Sequence, residues 1–301
     1  DPAFESPLRD AVLPWSRKLV SSQLDADRFD YLLRDAMFAG TSRQPYDIGR
    51  LLEMLTLVQQ GQSIGVHEKG IDALESYLVA LTQAFRTIYF HKTGRAAVFL
   101  LGSVFRRVIA LLELEARENA MYRSGHRERS LFPFDNHPFL KLLKEGARID
   151  LESFSRLSEY MVWSCLDLWQ YDPDPILSDL SRRLIERRLF KTLKLEDFRS
   201  AIDLKKHADQ LVKARFEAVD DATVDLYVGI DEATRRNYQV YDWSPTSPDR
   251  SIFIRSDRLR TEFPLENYPG SAFLSAVRTQ TVFHRLIFPA EIREDLLRAR
   301  S

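Results

Sequence analysis

Ser21-Ser22-Gln23-Leu24-Asp25-Ala26-Asp27-Arg28-Phe29-Asp30-Tyr31-Leu32-Leu33-Arg34-Asp35 is the most informative stretch of this chain. Four acids fall within eleven residues there, among apolar positions spaced as in a helix. On such a helix Asp27, Tyr31 and Asp35 lie one turn apart and share a face. A carboxylate, a phenol and a second carboxylate along one groove suit holding a cation, stacking on a sugar and accepting a hydrogen bond from a hydroxyl. The plain alternative is a solvated amphipathic helix, with Asp30 and Arg34 ion-paired at i,i+4 and the remaining acids facing water.

Outward from this stretch, helical periodicity runs from about Leu13 to Val212, as in Leu51, Leu52, Leu55, Leu57 and Val58, or Phe99, Leu100, Val104, Val108, Leu111 and Leu112. Turn-forming residues interrupt it at Gly40 to Pro45, Gly61 to Gly65, Ser124 to His137 and Tyr171 to Pro175. After about Lys213 the pattern changes to short β-rich runs at Thr223 to Ile230, Tyr238 to Trp243, Ser251 to Arg255 and Thr281 to Phe288, with a closing helix from Glu291 to Ala299. Composition and periodicity therefore divide the chain into a helical body, residues 1–212, and an α+β subdomain with a short antiparallel sheet, residues 213–301. The fold class expected is mainly α.

The chemistry of the whole chain narrows the function. Lys and Arg total 43 against 44 Asp and Glu, a net charge near −1 that provides no electrostatic drive toward bulk nucleic acid or a membrane surface. The local basic stretch Arg182 to Arg215 is interrupted by Glu186, Glu196, Asp197, Asp203 and Asp209, which reads as a solvated face before it reads as a nucleic-acid surface. The single cysteine, Cys165, forms no internal disulfide and reads as a buried apolar residue, in keeping with a reducing, cytoplasmic setting. No apolar run reaches the roughly 18 residues of a membrane span, and no signal peptide opens the chain. Its first residue, Asp1, reads as a fragment's start. HExxH, CxxC, Walker and GxSxG signatures are missing, and the six histidines, His67, His91, His126, His137, His207 and His284, are scattered.

A second stretch, Phe85-Arg86-Thr87-Ile88-Tyr89-Phe90-His91-Lys92-Thr93-Gly94-Arg95, combines aromatics, a histidine and three cations. Arg86, Lys92 or Arg95 are candidates for phosphate recognition. As a continuous helix it places Phe85, Tyr89 and Lys92 on one side; its alternative reading is core aromatics with solvated cations.

Taken together, Ser21 to Asp35, Gly40, Tyr46-Asp47-Ile48-Gly49-Arg50-Leu51-Leu52, His67-Glu68-Lys69-Gly70, Glu75-Ser76-Tyr77-Leu78, Tyr89-Phe90-His91-Lys92 and Arg187-Arg188-Leu189-Phe190-Lys191 resemble HD-domain deoxynucleotide triphosphohydrolases over about two-thirds of the chain. The resemblance implies an HD-like helical body and a divalent metal (Mn, Mg, Fe, Ni or Zn) held by a histidine, a His-Asp pair and a final aspartate that matches Asp27. It places Arg28 near the phosphates, Tyr31 and Asp35 along the sugar, and Tyr89 beside the nucleoside; Lys92 joins them as a substrate-binding candidate. It further implies attack of a metal-activated water on a phosphate of a (deoxy)nucleotide, with homo-oligomer formation and no membrane association. Two departures stand out. Residues 1–26 contain no histidine, and Leu81 stands where the family has a phosphate-clamping arginine. The competing reading is a non-catalytic HD-like protein that binds a nucleotide or scaffolds an assembly.

Overall fold

The computed structural model describes residues 13–41, 45–121, 137–195, 198–235, 251–269 and 281–298. These contain the helices α1 (Pro14–Val20), α2 (Ala26–Phe38), α3 (Ile48–Glu53), α4 (Ile71–Ala84), α5 (Lys92–Met121), α6 (Pro138–Glu145), α7 (Leu151–Ser155), α8 (Glu159–Trp169), α9 (Pro175–Ile185), α10 (Phe198–Arg215) and α11 (Arg293–Arg298). The strands are β1 (Leu55–Val58), β2 (Ser63–His67), β3 (Lys191–Leu195), β4 (Gly229–Arg235), β5 (Phe253–Ser256), β6 (Thr261–Pro264) and β7 (Thr281–Phe288). The chain is thus mainly α with small sheets, as expected. Its contacts define two compact units, one of the described residues up to His91 with those from Thr234 to Val282, the other from Lys92 to Ala233 with those after Phe283. Segments of the two units alternate along the sequence, whereas periodicity had suggested one boundary after residue 212.

In the first unit, α2 begins where the sequence supplies a cap. The buried Asp25 accepts hydrogen bonds from the Arg28 N–H at 2.8 Å and the Ser22 N–H at 3.1 Å. Phe29, Leu32 and Ala36 form its buried stripe. The helix ends in a Schellman arrangement, with Gly40 at φ 68°, Gly40 N–H on the Met37 carbonyl and Thr41 N–H on the Ala36 carbonyl. Beneath it, Tyr77 of α4 meets Phe29 and Tyr46 edge-on, each with ring centroids 5.3 Å apart. Tyr77 Oη donates to the Gln23 carbonyl and Tyr46 Oη to the Phe29 carbonyl, so two buried phenols fix the start of α2. Leu32, Leu51, Leu74, Leu78 and Leu81 complete this core, each fully buried side chain contributing about 1.5–3 kcal/mol.

The sheet of this unit, in the order β1-β2-β5-β6, corrects two expectations. Leu55, Leu57 and Val58 had matched helical spacing, yet α3 stops at Glu53 and Leu55–Val58 pairs with Ser63–Val66 in a hairpin. Gln59, Gln60 and Gly61 turn the chain at φ 53°, 56° and 82°. The Gly61 to Gly65 segment, read as a break, is half strand: a Cβ on Gly65 would lie 2.4 Å from the Phe253 carbonyl and 2.8 Å from Val58 Cγ1, so only glycine passes between β1 and β5. The β2–β5 pairing is parallel, which the long excursion between them permits, beside the antiparallel β1–β2 and β5–β6 pairs.

In the second unit, Leu100, Val104 and Val108 of α5 pack in the same core as Leu177 and Leu180 of α9 and Leu286 to Phe288 of β7. Its sheet runs β3-β7-β4, with β3 and β7 antiparallel. Strand β3 lies inside the span read as helical. The run read as a strand from Thr223 begins as a 3-10 turn, Val224–Leu226, and becomes extended only at Gly229. Phe253–Ser256 and Thr281–Phe288 are strands where expected, and the closing helix is Arg293–Arg298. The Tyr238 to Trp243 run and His126 lie outside the described residues. Cys165 is buried, as expected, and burial pushes its thiol up to about 11. Among the described residues no helix is long and apolar enough to cross a membrane.

Candidate functional site

Helix α2 presents Asp27, Arg28, Tyr31 and Asp35 as the spacing requires. Asp27 is exposed at its first turn, and eight residues of helix carry the face about 12 Å to Asp35. Arg28 is tied to the cap, its Nε lying 3.4 Å from Asp25 Oδ2. Asp30 and Arg34 form the exposed i,i+4 pair of the plain alternative, at 2.9 Å. The other end of the face is more than a solvated helix.

There the chain brings in Tyr89. Between α4 and α5 the backbone widens into a π-helical turn, Phe85–Tyr89, closed by the Phe90 N–H on the Phe85 carbonyl five residues back. The extra residue rotates Tyr89 toward α2, where its Oη donates to Asp35 Oδ2 at 2.7 Å and its ring meets Tyr31 edge-on at 5.9 Å. Phe85 backs the ring at 4.8 Å. Burial, then the hydrogen bond to Asp35, hold the Tyr89 phenol above its ordinary range, so it remains a donor at neutral pH. Tyr31, Asp35 and Tyr89 therefore form one wall, half-buried, with an aromatic edge and a carboxylate able to accept a further hydroxyl.

The second candidate stretch is not one helix. It breaks at His91, and Lys92 opens α5 in the other unit, exposed, so the expected common side of Phe85, Tyr89 and Lys92 is not formed by helical continuity. Arg95, a phosphate candidate, is engaged instead with the buried Asp231, its Nε at 2.9 Å from Oδ1. Arg86 is exposed. Leu81 is 1% exposed and part of the core beneath α2.

A metal centre needs several ligands, and among the described residues no group of three or more His, Cys, Asp or Glu side chains is placed to hold an ion. Asp27 alone does not make such a site. The basic stretch of α9 and α10 is spent on acids: Arg183 pairs with Asp179 and Glu291, Lys205 with Asp209 and Asp225, Lys213 with Asp221 and Arg188 with Glu186. Sequence reasoning did not identify Asp25 as the cap, Tyr46 and Tyr77 as the pins of α2, or the pairing of His67 Nε2 with Asp257 at 3.0 Å. Asp25 carried a signal, an acid just before a periodic apolar run. The others depend on partners too distant in sequence.

Comparison with known proteins agrees with the fold. Residues 46–128 match the family model of the HD associated region. The chain is 33% identical over 173 residues to the uncharacterized protein YwfO of Bacillus subtilis, and 32% identical over 171 residues to the uncharacterized protein MG461 of Mycoplasma genitalium. Those alignments cover 58% and 55% of this chain but only 36% and 38% of the relatives, so the chain spans well under half of either. Among solved structures, a phosphohydrolase from Bacteroides thetaiotaomicron superposes with a TM-score of 0.69 at 23% identity, over 93% of this chain and 65% of that one. A hypothetical protein from Aquifex aeolicus superposes with a TM-score of 0.57 at 21% identity. The fold is therefore shared with the two solved structures, and residues 46–128 are similar to the HD associated region.

Proposed function

We propose that the chain is part of an HD-type phosphohydrolase acting on (deoxy)nucleotides, in which α2 and the π-helical turn form the nucleoside-facing wall. The Tyr89–Asp35 hydrogen bond beside Tyr31 carries the reading, because it joins segments 54 residues apart into a polar and aromatic wall on the helix that bears Asp27. In this reading Tyr31 and Tyr89 offer their rings to a sugar or base, Asp35 accepts a sugar hydroxyl, and Arg28, prepositioned by Asp25, offers its guanidinium to phosphate. Asp27 would supply one carboxylate toward a divalent metal whose remaining ligands are not among the described residues. The match to the HD-associated region and the fold shared with a phosphohydrolase support the reaction class.

The test is binding, which does not require a complete catalytic centre. A deoxynucleotide at about 100 times its Kd is expected to stabilise the chain by about 2.7 kcal/mol. Tyr89→Phe removes the donor to Asp35 and is expected to weaken that binding about fivefold, the equivalent of about 1 kcal/mol. No nucleotide-dependent shift in the melting temperature would contradict the proposal. The core position of Leu81 favours a second reading, a nucleotide-binding scaffold without turnover. Binding unaccompanied by phosphate release from the full-length protein would select it.

A further inference from the structure

Helix α8 buries one side in the second unit's core through Cys165, Leu166 and Trp169. The opposite side carries an aromatic stripe with a carboxylate in its middle. Tyr160 is 83% exposed, Trp163 47% and Tyr171 82%, the last on the turn that extends the helix through the Tyr171 N–H to the Leu168 carbonyl. At 100° per residue Tyr160, Trp163, Asp167 and Tyr171 fall within an arc of about 80° on the side away from the core. Asp167, exposed, is at the centre of that arc, one turn from Trp163 in one direction and one turn from Tyr171 in the other. Its Oδ1 accepts from Gln170 Nε2 at 2.9 Å, which steadies the group, and a carboxylate retains capacity for further donors.

The charge of the stripe identifies the occupant. From Ser158 to Asp174 the chain holds Glu159, Asp167, Asp172 and Asp174 and no lysine, arginine or histidine. The exposed Glu159 accepts from the Trp163 indole N–H at 3.1 Å, which lays the ring along the helix and puts a second acid at the stripe's edge. Cations flanking the helix are held by other acceptors: Arg156 by Glu152 at 2.7 Å, Arg107 by Asp174, and Arg182 by the Gln170 carbonyl at 3.1 Å. Nucleic-acid phosphates and anionic lipid headgroups would meet two exposed carboxylates and be repelled. A second copy of the same stripe would set acid against acid. A guanidinium fits both parts of the stripe, since its planar fork donates twice to a carboxylate while its face stacks on an aromatic ring. Helix neighbours four residues apart lie about 6 Å from one another, so a guanidinium on Asp167 has a ring within reach on either side.

We propose that the exposed stripe of α8 docks a different, cationic protein that seats an arginine on Asp167 between Trp163 and Tyr171. Tyrosine, tryptophan and arginine are the residue types that concentrate binding energy at the centres of protein interfaces. Tyr160 and the exposed Leu168 flank the ion pair and exclude water from it, which strengthens the contact between guanidinium and carboxylate.

Fluorescence anisotropy tests the proposal, with the full chain titrated into a labelled helical peptide whose arginines lie four residues apart among leucines and alanines. That peptide is expected to bind, its lysine counterpart about tenfold more weakly, and its glutamate counterpart not at all. Asp167→Asn in the chain is expected to weaken the arginine peptide about tenfold, and Trp163→Ala by a similar factor. Both positions are exposed, and a melting temperature equal to that of the wild type establishes that each variant is folded. The Trp163 indole N–H resonance, identified by its loss in Trp163→Ala, is expected to shift as the arginine peptide binds. An arginine peptide that fails to bind, or that binds Asp167→Asn as tightly as the wild type, would overturn the proposal. So would sedimentation showing the stripe closed by a second copy, as a dimer that Tyr160→Asp dissociates.

Discussion

At the scale of single residues, the site rests on a few side chains whose partners are distant in sequence. Tyr89 reaches Asp35 because a π-helical turn adds one residue to the connection between α4 and α5; an ideal helix would direct the ring elsewhere. The common face of Asp27, Tyr31 and Asp35 was legible from the i,i+4 rule, since a helix needs only local spacing to set it. The meeting of Tyr89 with Asp35 was not legible from local spacing, since no local rule announces a π turn. Leu81 shows the reverse: its departure from the family pattern was visible at once, while its burial depends on the packing beneath α2. The half-buried pair of Arg107 and Asp174 makes a test at this scale. Asp174 also caps α9 through the Leu177 N–H, and asparagine keeps that cap, so Asp174→Asn isolates the charge. It is expected to cost about 2–3 kcal/mol of unfolding free energy in a urea titration, because the Arg107 guanidinium is left largely buried without its counter-charge.

At the scale of elements, α2 is the structure on which the site is built. Asp25→Ala removes its N-cap and the tether of Arg28, with an expected loss of about 1–2 kcal/mol in chemical denaturation. The β1–β2 hairpin was missed in the sequence because Leu51 to Val58 satisfies a 3.6-residue period as well as a strand period, and short apolar runs do not discriminate between the two. What decides the matter is tertiary: β2 is hydrogen-bonded on both sides, to β1 and β5, and Gly65 is the residue that lets the strands approach. Gly65→Ala is expected to destabilise the first unit by about 1–3 kcal/mol, read from its melting transition, since the colliding atoms are a backbone carbonyl and a β-branched core side chain. Strand β3 escaped notice for a related reason. Lys191-Thr192-Leu193-Lys194-Leu195 alternates, but its alternation means little until β7 lies beside it.

At the scale of the whole molecule, chain segments of the two units alternate, which a composition change along the sequence does not reveal because a residue's neighbours in space are not its neighbours in order. The mainly α character was legible because it sums over many helices. Glu291 and Asp174 contribute to the acid response of the second unit, beside the exposed Asp150 and Asp220, which hydrogen bonds from Ser153 and Thr223 lower. Burial acts to raise Glu291, but the hydrogen bond and charge of Arg183 together with a backbone hydrogen bond leave the group below its ordinary value; Asp174 is lowered against burial in the same way by Arg107 and the backbone N–H groups that it caps. Such groups contribute stability that is fully present above their unfolded values, near pH 4, and is lost as the pH falls through their lower folded values. Unfolding free energy measured from pH 6 downward is therefore expected to fall below about pH 4, and Glu291→Gln together with Asp174→Asn to flatten that fall.

The proposed phosphohydrolase activity rests on Asp27 and the α2 wall acting in the complete protein. The most direct measurement is phosphate or tripolyphosphate release from a panel of deoxynucleotides by the protein expressed from its full reading frame, with Mn²⁺ or Mg²⁺, comparing wild type with Asp27→Ala. Release by the wild type that the variant abolishes, with the fold of the variant intact by circular dichroism, is the predicted result. Release that survives Asp27→Ala, or none from a wild type that still binds nucleotide, would contradict it.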